Sequence, residues 1–419
     1  MAHIDGAVTA PSATPFGQHI LMLEQLPLSD GSILAPVTLA YETWGTLAPT
    51  ADNVVLICHA LTGNAHACDL DAPDDPRAGW WNPLIGPGRI FDTQRYFVIC
   101  SNILGGCYGS TGPTSPHPAG GRPYAMRFPL IGISDMVRAQ RALLDRLGVQ
   151  RLAAVAGGSI GGQQALEWAV AYPDFIDRVI VLAAGARLSA QGIALNEIGR
   201  RAILSDPRWQ GGNYPPGQGP DSGLAVARMV AMLSYTSAAD LEARFGRRPA
   251  SRAINLPSIG AAYDVESYLQ YQAEKLVRRF DANTYLILSR AMDDYDVAAG
   301  RGSDEAALAR VQAAFLAVGT SSDWLFPPAQ VRALAEQIQR VGGHASYAEI
   351  DSPLGHDAFL KAWDQIETIL RPFMEAQDGI VPESKGIESR LTTDSNGRSY
   401  PAVPVGPAQN LSPACTPQG

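Results

Sequence analysis

Short apolar runs alternate with stretches of helical spacing along the first half of this chain. The runs at residues 20–26, 37–42, 54–58, 96–100, 152–156 and 179–183 are predicted strands. Most are apolar along their length, as suits a sheet covered on both faces. Between them, residues 134–147 and 160–172 have the spacing of helices. Ile133, Met136, Val137, Ala139, Leu143, Leu144 and Leu147 gather on one side of the first. Strand, helix, strand at this pitch means parallel βαβ units.

The rhythm breaks at Arg187. From there to about Val297 the chain is polar and helical, interrupted by a loop at 211–223 rich in Gly and Pro. It resumes with a strand at 313–318, a helix at 328–341, a strand at 346–350 and a helix at 358–374. Residues 187–297 are therefore predicted to be a helical lid inserted into a core domain formed by 16–186 and 298–375. The lid would cover the carboxyl ends of the strands, where open α/β sheets place their ligands. Residues 376–419 are polar, rich in Pro, Ser and Gly and without period, and are expected to be a disordered tail.

Composition narrows the function. The 419 residues carry a net charge of −9, and 46% are hydrophobic. That balance provides for a core and argues against a nucleic-acid surface, which needs a basic face. A local Arg or Lys cluster could still bind an anionic coenzyme. Cys58, Cys68, Cys100, Cys107 and Cys415 are odd in number and scattered, so neither a disulfide framework nor a zinc site is indicated. Residues 1–17 do not read as a signal peptide, and no run is long enough for a membrane span, which makes a cytoplasmic location the expectation.

The candidate nucleophile is Ser159. Gly157-Gly158-Ser159-Ile160-Gly161 places G-x-S-x-G between a predicted strand and a predicted helix. In that context the serine sits on a sharp turn, and the glycines let neighbouring backbone pass. The Ile160 N–H, at the helix start, becomes one donor to a tetrahedral oxyanion. A Gly-rich turn with a merely capping serine, or a phosphate loop, is the alternative. Serine needs a base, and in this fold the order is Ser, Asp, His. Only His344 and His356 follow Ser159. His344 leads into a strand at its amino end, whereas His356 follows that strand at the carboxyl end, so His356 is the predicted base.

Asp323, after the preceding strand, is the predicted orienter of the imidazole. Asp293, Asp294 and Asp296 lie in the insert and are expected to be solvated charges, and Asp351 ends His356's own strand. The second oxyanion donor is expected from the loop after 54–58, with the Leu61 N–H the candidate. His59 is read as a residue that shapes this loop. The fold class is α/β, of the α/β-hydrolase type, with a mostly parallel sheet, helices on both faces and a helical lid.

Several longer stretches resemble the homoserine O-acetyltransferase family. They are Cys58-His59-Ala60-Leu61-Thr62-Gly63-Asn64-Ala65-His66, Gly79-Trp80-Trp81-Asn82-Pro83-Leu84-Ile85-Gly86-Pro87-Gly88, the run 101–113, and Gly157 through Trp168. Glu266-Ser267-Tyr268-Leu269 and Phe280-Asp281-Ala282-Asn283 belong with them. The resemblance runs from about Phe16 to Met374. It implies a triad of Ser159, Asp323 and His356, and transfer of an acetyl group from acetyl-CoA to the hydroxyl of L-homoserine, a step toward methionine. It implies that Arg228 binds the amino acid's carboxylate, that Asp357 holds its ammonium and that Tyr235 lines the pocket. From the residues alone, Arg228 reads as a lid salt-bridge residue and Asp357 as a helix-start carboxylate. The resemblance also suggests a homodimer through the lid helices. This chain departs from the family pattern at Ile160, where many members have Met, and at Gly162-Gln163-Gln164.

The mechanism expected is ping-pong through an acyl-Ser159, with no metal and no tightly bound cofactor, acetyl-CoA being a co-substrate. The alternatives are a succinyl donor or a serine acceptor, a plain esterase or thioesterase, and an inactive binding scaffold.

Overall fold

The computed structural model describes residues 18–75, 78–250, 263–376, 391–393 and 399–401. The reading of residues 1–17, Phe16, Cys415 and most of the tail lies outside them. The chain divides into two units, Met1–Val381 and Pro382–Gly419.

The larger unit is built on an eight-stranded sheet. In chain order its strands are β1 His19–Leu23, β2 Val37–Trp44, β3 Val54–Cys58, β4 Phe97–Ser101, β5 Leu152–Gly158, β6 Arg178–Leu182, β7 Ala314–Thr320 and β8 Ala345–Ile350. Their spatial order is β1-β2-β4-β3-β5-β6-β7-β8. From β4 to β8 every neighbour is parallel, while β2 runs antiparallel to both β1 and β4. This is the α/β-hydrolase fold read from the sequence. Side chains alternate faces along each strand. Val54, Leu56 and Cys58 join one hydrophobic cluster, together with Val155, Val179 and Phe315. Val55 and Ile57 join the other with Ala154, Ile180 and Leu316. Both faces are thus buried, which is why the strands lack polar alternation.

Helices α1 Ile133–Arg146 and α2 Ile160–Ala171 follow β4 and β5. Helix α1 buries Ile133, Met136, Val137, Ala139, Leu143 and Leu144, the face read from its spacing. Helix α2 is buried on every side, from Ile160 to Val170, because it lies between the sheet and α1. Between β6 and β7 the described residues form α3 Ala190–Ser205, α4 Asp221–Tyr235, α5 Ala238–Arg244, α6 Asp264–Val277 and α7 Ala282–Asp294. Then come α8 Asp304–Leu308, α9 Pro328–Arg340 and α10 Trp363–Glu375.

Each predicted strand has a counterpart, that at 54–58 with the same ends and the others with shifted ones. The first stops at Leu23, where exposed Glu24 and Gln25 intervene, and Leu26 joins a separate short pairing with Ile33–Leu34. The helix predicted at 358–374 is two pieces. Residues Gly355–Leu360 form a 3-10 turn, Lys361 leaves helical geometry at φ −141°, and α10 begins at Trp363. In the second unit, Leu391–Thr393 pairs antiparallel with Ser399–Pro401 where no regular structure was expected.

Leu143 is fully buried where α1 meets the core. Leu143→Ala is expected to lower unfolding free energy by ~2–5 kcal/mol in denaturant titration.

Candidate active site

Ser159 follows β5 and caps α2 at φ 59°, ψ −126°, a left-handed conformation that L side chains rarely adopt. The surrounding packing requires the flanking glycines. A Cβ on Gly157 or Gly161 would collide with backbone, the Cys58 carbonyl oxygen included in both cases. Gly158 has the same constraint from the Phe359 ring. The Ser159 N–H donates to the Leu182 carbonyl at 3.0 Å, tying the turn to β6. Ser159 lines a cavity with Leu61, Asn196, Ser234, Tyr235 and Tyr285. Neither the Leu61 nor the Ile160 N–H donates to any described residue, and Ile160, first residue of α2, has no carbonyl a turn earlier to take it.

Asp323 and His356 come from the loops after β7 and β8, 33 residues apart. His356 Nδ1 lies 2.7 Å from Asp323 Oδ2, and both side chains are buried. Asp323 Oδ1 accepts the Leu325 and Phe326 N–H groups at 2.9 and 3.0 Å. With both oxygens engaged, the carboxylate fixes Nδ1 as the protonated nitrogen and leaves Nε2 as the acceptor. His356 Nε2 is buried with no hydrogen-bond partner among the described residues. The ring is held by Phe326, stacked at 5.6 Å, by Phe359 edge-on at 5.5 Å and by Tyr235 at 5.7 Å between centroids. Phe359 and Tyr235 connect it to Ser159, one packing on Gly158 and the other walling the cavity.

The two loops are stitched together. Ser322 Oγ donates to the Ser352 carbonyl at 2.5 Å and accepts from the Gly355 N–H at 3.0 Å. Asp351, the rejected alternative, is taken up by Ser321 Oγ at 3.1 Å. His344 leads into β8 from its amino end.

His59 stands beside this site and does other work. Its Nδ1 is 2.8 Å from the Ala60 carbonyl, and its Nε2 accepts the Ile103 N–H at 3.0 Å. A neutral ring satisfies both bonds and pins the loop that carries Leu61. Burial pushes its pKa down to about 4. Burial also pushes the Cys58, Cys68 and Cys107 thiols up to about 12, so none is a ready thiolate nucleophile.

Arg228 lies on α4 with its guanidinium 5.6 Å from the centre of the Tyr235 ring, seven residues on. Its Nε and Nη1 are buried and without a partner among the described residues. Asp357, next to His356, is ion-paired with Lys361 at 2.7 Å through Oδ2. Burial is the main cause of a raised Tyr235 pKa, Arg228 opposes it, and Asp357 adds to it. Asp294 and Asp296 are half exposed and paired with Arg290 and Arg187, as solvated charges. Asp293 differs from expectation: its carboxylate is buried and sits 2.7 Å from Arg200. It lies on the face of α7 that meets α3, a pairing between helices that sequence spacing does not reveal. Among the described residues no cluster of His, Cys, Asp and Glu could hold a metal ion, and no helix is long and apolar enough to cross a membrane.

A strained serine after a strand, an oriented buried imidazole and free N–H groups beside the serine define a nucleophilic α/β-hydrolase-type site. The profile of the alpha/beta hydrolase fold family matches residues 53–362. A homoserine O-acetyltransferase of Symbiobacterium thermophilum is 53% identical over 84% of this chain and 92% of its own length. The crystal structure of homoserine O-acetyltransferase from Bacillus anthracis is similar at 30% identity and TM-score 0.79, covering 86% of this chain and 97% of that one. Esterase E22 superposes at 28% identity and TM-score 0.78, over 85% and 99%. Within the α/β-hydrolase fold, the chain belongs to the homoserine O-acetyltransferase family.

Folded His59 resists protonation that the unfolded chain accepts near its ordinary 6.5. Its contribution to stability is therefore present above about pH 6.5 and lost as pH falls toward 4. Thermal unfolding should show the wild type losing more between pH 6.5 and 4.5 than His59→Gln, the window being set by that shift.

Proposed function

We propose that this chain transfers an acetyl group from acetyl-CoA to the side-chain hydroxyl of L-homoserine by way of an acyl-Ser159. His356 Nε2 takes the Ser159 proton and Oγ attacks the thioester carbonyl carbon. The Leu61 and Ile160 N–H groups hold the oxyanion, each of them worth ~2.7–4 kcal/mol of transition-state stabilisation. The C–S bond breaks and the CoA thiolate leaves with the proton from His356. Homoserine enters, His356 takes its hydroxyl proton, and the oxygen attacks the acyl carbon. Ser159 is released and reprotonated. Each step is carried by side chains and backbone N–H groups, with acetyl-CoA as co-substrate and no tightly bound cofactor.

The observation that carries this reading is the buried edge of Arg228, without a partner among the described residues, on the helix that walls the Ser159 cavity. A guanidinium fork fits a carboxylate with two parallel hydrogen bonds, and leaving it empty in a buried site is costly. An esterase has no need of such a group, whereas an amino-acid acceptor supplies its partner. Asp357 is assigned to the substrate ammonium, which it would share with or take from Lys361. Tyr235 is assigned to the pocket wall. The insert acts as a lid that keeps water from the acyl-enzyme. Exposed Ile193 and Ile198 on α3 and Val226 and Leu233 on α4 suit a homodimer through the lid helices. A cytoplasmic location goes with this biosynthetic role.

Thiol release from acetyl-CoA should depend on L-homoserine, exceed release from succinyl-CoA, and favour homoserine over L-serine. Release that ignores the amino acid would place the chain with esterase E22 in activity. Ser159→Ala should abolish release, and Asp323→Asn should lower kcat by about 10⁴-fold. Arg228→Lys keeps the charge and loses the fork, and should raise KM for homoserine by about 10- to 100-fold in the same assay.

A further inference from the structure

The cavity in front of Ser159 has a polar wall that the scheme above leaves unused. Asn196, on α3, lines it together with the serine. Its Nδ2 donates to Asp293 Oδ1 at 2.7 Å, and this is the side-chain hydrogen bond it makes among the described residues. Asp293 is in turn ion-paired with Arg200 at 2.7 Å, both side chains being nine-tenths buried or more. Arg200 also reaches Glu197 Oε2 at 3.2 Å.

A buried ion pair inside a lid is poor value for stability, since hydrophobic packing of the same volume would serve as well or better. Here it has a geometric consequence. An ionised carboxylate only accepts hydrogen bonds, so the amide must turn its NH₂ to Asp293. The Asn196 carbonyl oxygen is then left as the free end of the amide, an acceptor fixed in the wall of the reaction cavity. Burial raises the Asp293 pKa, while the Asn196 amide and Arg200 oppose that rise by favouring the charged form, and a carboxylate held against Arg200 keeps the amide from turning over.

We infer that Asn196 is a specificity-determining residue that accepts a hydrogen bond from the ammonium group of the acyl acceptor, with Asp293 and Arg200 as its positioning residues. This rests on the proposed transfer to homoserine. Of the polar groups on that acceptor, the carboxylate is assigned to Arg228 and the hydroxyl must reach Ser159 and His356. The ammonium has three N–H donors, and Asp357, assigned to it, already carries an ammonium from Lys361 and does not satisfy all three. A fixed carbonyl oxygen on the lid gives the substrate ammonium an acceptor with no resident competitor among the described residues.

The test compares L-homoserine with 4-hydroxybutyrate, which keeps the hydroxyl and carboxylate and lacks the ammonium. Both are assayed as acceptors by thiol release from acetyl-CoA, with the full-length wild type and Asn196→Ala. The inference expects the ratio of KM values, 4-hydroxybutyrate over homoserine, to narrow by about tenfold or more in the variant, as for one hydrogen bond to a charged group. Asn196→Leu, which fills the same volume without an acceptor, should narrow it equally and serves if the alanine variant folds poorly. An unchanged ratio, with both acceptors affected alike or neither affected, overturns the inference while leaving the transferase reading intact. Wild-type thiol release that ignores homoserine overturns the transferase reading itself, and the inference with it.

Discussion

The backbone around Ser159 can hold its left-handed conformation because everything beside it is packed against it. The Cys58 carbonyl at the end of β3 comes so close to the start of α2 that positions 157 and 161 admit no side chain. Helix α2 is buried along its length, and the Ser159 N–H is bonded to β6. A residue in such a region costs of order 1–3 kcal/mol, which the fold absorbs because the turn has no room to relax. The same turn leaves the Ile160 N–H beside the hydroxyl with no acceptor among the described residues. The strain, the placement of the Ser159 hydroxyl and this Ile160 N–H are one structural feature seen from three sides.

The helical insert is joined to this apparatus through the end of α4. The Trp324 indole N–H, next to Asp323, donates to the Thr236 carbonyl at 2.9 Å. Ser237 Oγ donates to the Pro353 carbonyl in the loop before His356. Gly355, at φ 69°, passes so near the backbone of Tyr235 to Ser237 that a Cβ would not fit. The end of α4 therefore touches the loops that carry both His356 and Asp323. Arg228 and Tyr235 stand two turns apart on one face of that helix, so the group assigned to the substrate and the ring packed on His356 share one rigid element. In this account acceptor binding and catalytic geometry are set by the same helix.

Much of the framework was legible before any coordinates. Strands buried on both faces announce themselves as apolar runs, and the turn glycines at 157 and 161 announce a close approach. Chain order separated His356 from His344, and the structure places Asp323 Oδ2 against the His356 ring. What was not legible depends on contacts between elements distant in sequence. Asp293 looked like a solvated helix charge, and only the packing of α7 on α3 turns it toward Arg200 and Asn196. Asp357 read as a helix-start carboxylate, and Lys361 one turn later proves to pair with it. The break at Lys361–Ala362 was hidden because the sequence of 358–374 keeps helical spacing across it. Strand ends shifted by a few residues, since capping and bulges decide them more than hydrophobicity.

The central claim is that Ser159 carries the acetyl group between donor and acceptor. Intact-protein mass spectrometry after mixing with acetyl-CoA alone tests it most directly, with peptide mapping to locate the added mass. The account predicts one acetyl group on the peptide containing Ser159, lost when L-homoserine is added and matched by O-acetylhomoserine formed. Product formation with no acetyl-protein at any time, or acetyl on a different residue that turns over, would contradict it.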